Sequence, residues 1–190
     1  MRKALKVFYT FTGVAGLSGI GYVLMRIKKE TDKLKKMGDT YKVKNINFDI
    51  EQGNFFCYVY IEMENQSELQ VFIQKLGNLK LYIDDKEIAI DNKKDKFSIP
   101  PKSKKEIEIV FSANLIDFIK LIDPSMIKDA LSLKINKIKE NLLNKKIKIE
   151  GSFDVFVILF EGKFFSKTIK VNNPISFEGK INDLIKKQYV

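Results

Sequence analysis

The fold is decided by residues 55–65, which read FFCYVYIEMEN. A period of two runs through this stretch, and successive side chains of a β-strand point to opposite faces, so the pattern predicts a strand. One face of it carries Cys57, Val59, Ile61 and Met63, and the other carries Phe56, Tyr58 and Tyr60. In a two-sheet core one face of each strand is buried. The aromatic residues on the other face of this strand therefore leave a second interpretation open, in which they form an apolar contact surface.

Period-two runs also flank this stretch on both sides, at residues 41–50, 69–76, 79–83, 87–90, 105–112, 146–160, 163–172 and 174–178. Between them, helical spacing and an Asp123-Pro124 helix start predict a helical insertion near residues 114–144. We therefore expect a mainly β protein. Its body, residues 41–178, is an antiparallel β-sandwich of immunoglobulin or fibronectin type with about 7–8 strands, followed by a tail at 179–190.

The N-terminal region contains an uncharged run, VFYTFTGVAGLSGIGYVLM, at residues 7–25. As a helix its nineteen residues would extend about 28 Å, close to the hydrocarbon thickness of a bilayer. A small-residue ridge for helix packing is expected on one face, formed by Thr12, Ala15, Gly16 and Gly19. No small-residue cleavage site follows Met25, so we expect residues 1–25 to be a retained apolar helix with a basic flank.

Most of the net charge of +10 surrounds this run. Residues 1–25 carry +3, residues 26–45 carry +5 and the remaining body only +2. Residues 26–40 are predicted to form a charged helical stalk, either solvated or in contact with anionic headgroups. Its expected basic surface consists of Arg26, Lys28, Lys29, Lys33, Lys35 and Lys36. More basic residues follow the apolar run than precede it, which favours a cytoplasmic body behind a membrane anchor.

Several classes of chemistry are disfavoured by the residues that are missing. The chain has no histidine and one cysteine, Cys57, which we interpret as a small core residue. Asp84-Asp85 with Glu87 is interpreted as a hairpin turn in preference to a cation site, and Asn65-Gln66-Ser67 as a turn. Only two of 34 basic residues are arginine, so sequence-specific nucleic-acid binding is not expected. We predict no catalytic, cofactor-binding or metal-binding residues.

The order of strands resembles the late-embryogenesis-abundant type 2 domain, also called the water-stress and hypersensitive-response domain. The likeness covers about residues 41–178 and rests on CYVYIEMENQSELQVFI, LGNLKLYIDDKEIAI, FSIPPKSKKEIEIVFS and NKKIKIEGSFDVFV. The typical Asn-Pro-Asn turn is replaced by Asn65-Gln66-Ser67. The resemblance implies an antiparallel sandwich flanked by a helix, often behind an N-terminal membrane segment, with binding or protective roles and no established catalytic site.

Two functional hypotheses follow from these patterns. The first is a non-enzymatic β-sandwich, anchored by its N-terminal helix, that acts as a structural or interaction module at a membrane. The second is a structural subunit of a large symmetric assembly, such as a phage virion ring or tail component, with that helix packed against other subunits. The expected partners are accordingly membrane lipid or neighbouring protein subunits, including further copies of this chain.

Overall fold

The structure is a computed structural model that describes residues 14–37, 41–91, 96–132, 134–162 and 165–185. The side chains of residues 14–21, 23, 74–78, 159–162 and 165–167 are not described. Eight strands and five α-helices lie in these ranges. The helices are α1 (Val14–Lys36), α2 (Leu115–Ile122), α3 (Ile127–Leu131), α4 (Ile135–Leu143) and α5 (Ile181–Leu184). The strands are β1 (Lys42–Glu51), β2 (Asn54–Glu64), β3 (Val71–Ile83), β4 (Lys86–Asp91), β5 (Lys96–Ile99), β6 (Lys104–Asn114), β7 (Lys146–Gly162) and β8 (Phe165–Lys180).

The strands form two antiparallel sheets. The three-stranded sheet has the order β1-β2-β6, with the quoted stretch at its centre. In the five-stranded sheet β3 pairs with β7 on one side and with both β4 and β5 on the other, and β8 pairs with β7 at the far edge. The alternation of β2 is realised as predicted, since Cys57, Val59 and Ile61 are buried while Tyr58 and Tyr60 are partly exposed.

The apolar faces of the two sheets join in one buried cluster, so the strands form a sandwich-like arrangement. Phe111 of the three-stranded sheet and Phe153 of the five-stranded sheet are among its largest fully buried side chains. The prediction of a mainly β, antiparallel protein is thereby confirmed, and the helical insertion predicted near 114–144 is present as α2, α3 and α4.

The insertion begins at the residues that its sequence indicates. Asn114 caps α2 because its side chain accepts hydrogen bonds from the backbone amides of Ile116 and Asp117. Asp123 then caps a short 3₁₀ turn, Pro124–Met126, in which proline occupies a position that needs no amide donor. The buried side of α2 stacks the ring of Phe118 on Phe55, with centroids 3.9 Å apart. This contact fixes the insertion against the end of β2.

Helix α1 packs on the sandwich along its C-terminal half. Leu34 and Met37 are buried in the common core, and Ile27 packs against it. Glu30 is only 3% exposed, and the amide of Asn173 in β8 donates to the carbonyl of Leu34 at 2.9 Å. Residues 27–37 are therefore helical, as expected of the stalk, but one side of the helix is buried against the body and is not solvated.

The membrane anchor expected at residues 7–25 is not supported. None of the helices in the described residues is long and apolar enough to cross a bilayer. Residues 7–13 lie outside the described residues. The predicted membrane-anchored localisation was wrong. The cytoplasmic assignment of the body was derived from that anchor and therefore has no support.

Three strand boundaries differ from the sequence pattern. The runs 69–76 and 79–83 belong to a single strand, β3, because register shifts near Gly77 absorb the apparent break. The runs 163–172 and 174–178 likewise merge into β8 across Pro174. Since β7 is the one partner of β8 among the described strands, the missing amide of proline can face away from the ladder. Strand β5 has four residues, too few to show a period of two.

Candidate functional site

The outer face of the five-stranded sheet carries compensated charges. Lys80 pairs with Glu87 at 2.7 Å across β3 and β4, and Lys148 pairs with Glu150 at 2.8 Å within β7. Lys170 of β8 similarly pairs with an oxygen of Asp154 at 3.0 Å. Partly exposed ion pairs of this kind keep a surface hydrated and electrically even, so the described side chains of this face show no concentration of one charge.

The outer face of the three-stranded sheet is different, and we call part of it the acidic aromatic face. It consists of three rings from β2 and three carboxylates from the neighbouring strands, namely Phe56, Tyr58 and Tyr60 with Asp49, Glu51 and Glu108. In the register Asp49 lies opposite Phe56, and Glu108 lies opposite Tyr60. The rings of Phe56 and Tyr58 are 6.3 Å apart between centroids and tilted by 30°. Side chains at alternate positions of β2 thus form a row of rings with acids on both flanks.

The two tyrosines respond to these carboxylates. Partial burial, followed by the negative charges of Glu51, Asp49 and Glu108, raises the pKa of Tyr58. For Tyr60 the main cause is a hydrogen bond from its hydroxyl to Glu108, which raises the pKa of Tyr60 because it favours the neutral phenol. The phenols therefore stay protonated at neutral pH, and the face is negative through its carboxylates.

Few cations compensate these acids. Asp49 has one weak ion pair, to Lys139 at 3.9 Å, and in the described ranges no ion pair within 4 Å involves Glu51 or Glu108. The far end of the sheet contrasts with this, because Glu62 is held by Lys44 at 3.1 Å and Lys104 at 3.5 Å. A local excess of negative charge is thus found on a chain whose net charge is +10.

This arrangement is suited to recognition of cations. Aromatic faces attract ammonium and guanidinium groups, and neighbouring carboxylates add a direct charge interaction. It is not suited to nucleophilic chemistry, because Cys57 lies beneath it on the core side of β2 and is buried. Burial raises the pKa of the Cys57 thiol, which keeps it protonated. The prediction that Cys57 is a core residue is confirmed.

The predicted helix-packing ridge cannot be located in full. Thr12 lies outside the described residues, and for Ala15, Gly16 and Gly19 the backbone alone is described, as part of α1. The packing role of these four residues stays a prediction.

The predicted basic surface lies on α1, and most of it is open to solvent. Its exposed members are Arg26, Lys28, Lys29, Lys35 and Lys36. Lys33 is instead largely covered, because its ammonium group binds Glu30 at 3.0 Å and lies 3.9 Å from Glu68. The helix thus has one side fixed to the sandwich and one side that is basic and exposed.

The turn at Asp84-Asp85 is confirmed, whereas residues 65–70 form an irregular loop in which the amide of Ser67 donates to the side chain of Asn65 at 2.9 Å. Asp84 and Asp85 have φ values of 47° and 63°, which suit the tight turn between β3 and β4. Asp84 accepts from the amide of Lys146 at 3.0 Å. Asn65 is fully buried, and its amide nitrogen lies 2.8–3.0 Å from the carbonyl oxygens of Leu69, Ile99 and Pro100. In the parts of the chain that the structure covers, no group of three or more potential ligands could hold a metal ion.

The sequence patterns missed the carboxylates of the acidic aromatic face and the buried Glu30. Asp49 and Glu51 occupy alternate positions of β1, and Glu108 of β6 alternates with the buried Ile107 and Ile109, so a signal for outward-facing acids was present. What the chain order does not show is that β1 and β6 both flank β2. Glu30 gave no signal, because a glutamate among lysines is typical of a solvated helix.

Comparison with known proteins gives little further information. No protein family model matches the chain, and no curated protein matches it. Among solved structures it is similar to a crystal structure of a protein from Archaeoglobus fulgidus, with 9% identity, a TM-score of 0.38 and coverage of 74% of this chain and 96% of that chain. A similarity of this level indicates no function. The virion assignment receives no support from any of these comparisons.

Proposed function

We propose that the protein is a non-enzymatic interaction module that binds a basic polypeptide segment on its acidic aromatic face. The observation that carries the proposal is the convergence of Asp49, Glu51 and Glu108 on Tyr58, within a row of partly exposed rings. Rings and carboxylates side by side provide both the apolar and the charged contacts that lysine and arginine side chains make, since these residues have long apolar stems and cationic ends.

A cationic polypeptide fits better than a neutral ligand such as an oligosaccharide. Glu51 and Glu108 lack ion-pair partners in the described part of the protein, and uncharged hydroxyl groups would leave those charges uncompensated. An extended or helical chain also matches a row of alternate β2 side chains, which repeat about every 6.6 Å along a strand. The likeness to the late-embryogenesis-abundant type 2 domain, which implies binding roles, stays a prediction and is compatible with this proposal.

The absence of enzymatic activity is part of the same proposal. The chain has no histidine to act as a base near neutral pH, and its one cysteine is a buried thiol. The carboxylates of the acidic aromatic face lie on an open sheet surface, where water would not be excluded from a reacting group.

The experiment is a calorimetric titration of the full chain with a peptide of ten lysines, carried out at low and at high salt. The net charge of +10 opposes the general attraction of any polycation, so measurable binding reports a local acidic surface. We expect binding that weakens with salt, and a Tyr58→Ala, Glu108→Gln double variant that binds about tenfold or more weakly.

The matched control is Tyr82→Ala with Glu150→Gln on the outer face of the five-stranded sheet, where Lys148 lies 5.6 Å from the Tyr82 ring centroid. It removes the same chemical groups from a compensated surface and should bind the peptide like the natural chain. Equal losses in both variants, or none in either, would contradict the proposal. Binding of a neutral oligosaccharide in place of the lysine peptide would contradict it as well.

A further inference from the structure

The exposed side of α1 carries a regular set of unpaired cations. Lys28 and Lys35 lie seven residues apart, as do Lys29 and Lys36, so each pair shares a side of the helix about 10.5 Å apart. Asp32 is the one exposed acid between them, since Glu30 is buried, and within the described ranges no ion pair within 4 Å involves any of these four lysines. This side of α1 is therefore positive over about two turns.

Large apolar side chains adjoin these lysines toward the N-terminus. Leu24 is 60% exposed and Met25 is 74% exposed, and Tyr22 next to them is also exposed. This surface of α1 is complementary to the acidic aromatic face. Its lysines match the carboxylates of that face, and its apolar side chains match the rings. An exposed cluster of apolar side chains is typical of a protein contact.

Helix α1 cannot reach the acidic aromatic face of its own molecule, because it is fixed to the sandwich. Leu34 and Met37 are buried in the core, and the backbone of α1 is held by Asn173. Glu30 also accepts a hydrogen bond from Ser67. Moving α1 onto another surface of the same molecule would expose these apolar side chains and leave buried polar groups without partners.

We propose that the acidic aromatic face is occupied by the basic side of helix α1 from a second copy of this chain. The inference rests on the proposed function, because it names the partner of that same surface. Phe56 to Tyr60 spans about 13 Å along β2, comparable to the distance of about 10.5 Å between the two lysines of each pair, and a helix is about as wide as three neighbouring strands. Lys28 and Lys35 would meet the carboxylates, while Leu24 and Met25 would cover the rings.

Such a contact joins two different surfaces and is therefore heterologous. When the helix of one copy occupies the face of another, the pair still has one unoccupied helix and one unoccupied face, so association continues until a ring closes or a filament forms. We expect the mass of the complex to rise with concentration and to fall with salt, since screening weakens contacts between exposed charges.

The test is sedimentation velocity of the full chain at rising concentration, using charge reversals on each side. Lys28→Glu with Lys35→Glu makes the helix acidic, and Glu51→Lys with Glu108→Lys makes the face basic. Each double variant alone should self-associate about tenfold or more weakly than the natural chain. An equal mixture of the two should associate again, because an acidic helix then meets a basic face and the natural pair of surfaces also remains.

Lys128→Glu with Lys180→Glu is the control, since it makes the same charge change at exposed positions away from α1. It should self-associate like the natural chain. A natural chain that stays monomeric at every concentration in low salt would overturn the inference, and so would a mixture that fails to restore association between folded variants. The ten-lysine peptide separates the two proposals. A monomeric chain that still binds the peptide retains the proposed function and loses only this inference, whereas failure of both experiments removes both.

Discussion

The carboxylate of Glu30 in α1 accepts a 2.5 Å hydrogen bond from the hydroxyl of Ser67, which lies between β2 and β3. Both residues are buried, and Lys33 binds the other oxygen of Glu30 at 3.0 Å. The Ser67 hydroxyl also accepts from the amide of Leu69 at 2.9 Å. A single acidic side chain thus joins the N-terminal helix to a loop between the two sheets.

Replacing Glu30 by alanine should therefore destabilise the protein. The change leaves the Ser67 hydroxyl without its acceptor and Lys33 without its closest partner, and we expect a loss of about 1–3 kcal/mol in the free energy of unfolding by urea. Asp32→Ala on the exposed side of the same helix is the control and should stay within about 0.5 kcal/mol. Equal effects of the two substitutions would show that the contact with Ser67 does not hold the helix.

The contact between Glu30 and Ser67 also predicts that the stability of the protein depends on pH. Burial by itself would raise the pKa of Glu30, but hydrogen bonds from Ser67 and Lys33 and the charges of Lys33 and Lys29 outweigh it, so the pKa lies below its usual value. The stabilisation is thus present above the unfolded pKa of about 4.3 and is lost as pH falls through the folded pKa. Urea unfolding of the natural chain between about pH 6 and pH 3 should show this loss, and Glu30→Gln should show less of it.

Docking of α1 by its apolar residues gives a third prediction. Leu34 is fully buried while Leu24, ten residues earlier in the same helix, is mostly exposed. We expect Leu34→Ala to lower the free energy of unfolding by about 2–5 kcal/mol through transfer and cavity terms. Leu24→Ala should change it by less than about 0.5 kcal/mol. A small effect at Leu34 would mean that the helix contributes little to the core.

Much of the fold could be predicted from local patterns, because the two-residue period of strands and the capping of helices depend on residues that are close together in the sequence. The alternation of β2 and the Asp123-Pro124 helix start are both present where they were expected. Pairing of β2 with β6 depends on residues about 50 positions apart, for example Tyr60 and Glu108, and no local pattern shows it. The anchor prediction failed on the N-terminal run, since none of the described helices combines the length and the hydropathy that a membrane span needs.

The acidic aromatic face allows a prediction that needs no partner. The hydrogen bond from Tyr60 to Glu108 is the main cause that raises the pKa of Tyr60. Glu108→Gln removes the carboxylate charge and should bring the pKa of Tyr60 closer to its ordinary value of about 10. Glu106→Gln changes an exposed acid on the same side of β6 and is the control. Alkaline titration of the tyrosine side chains by NMR would measure both, and identical shifts in the two variants would refute the assignment.

The most direct test of the interaction surface is to record amide NMR spectra of the full chain during titration with the ten-lysine peptide. If the acidic aromatic face binds basic segments, the largest shift changes occur at residues 49–51, 56–60 and 108, and they disappear in the Tyr58→Ala, Glu108→Gln variant. Changes centred on the five-stranded sheet, around Tyr82 and Glu150, or no changes at low salt, would contradict the proposed function.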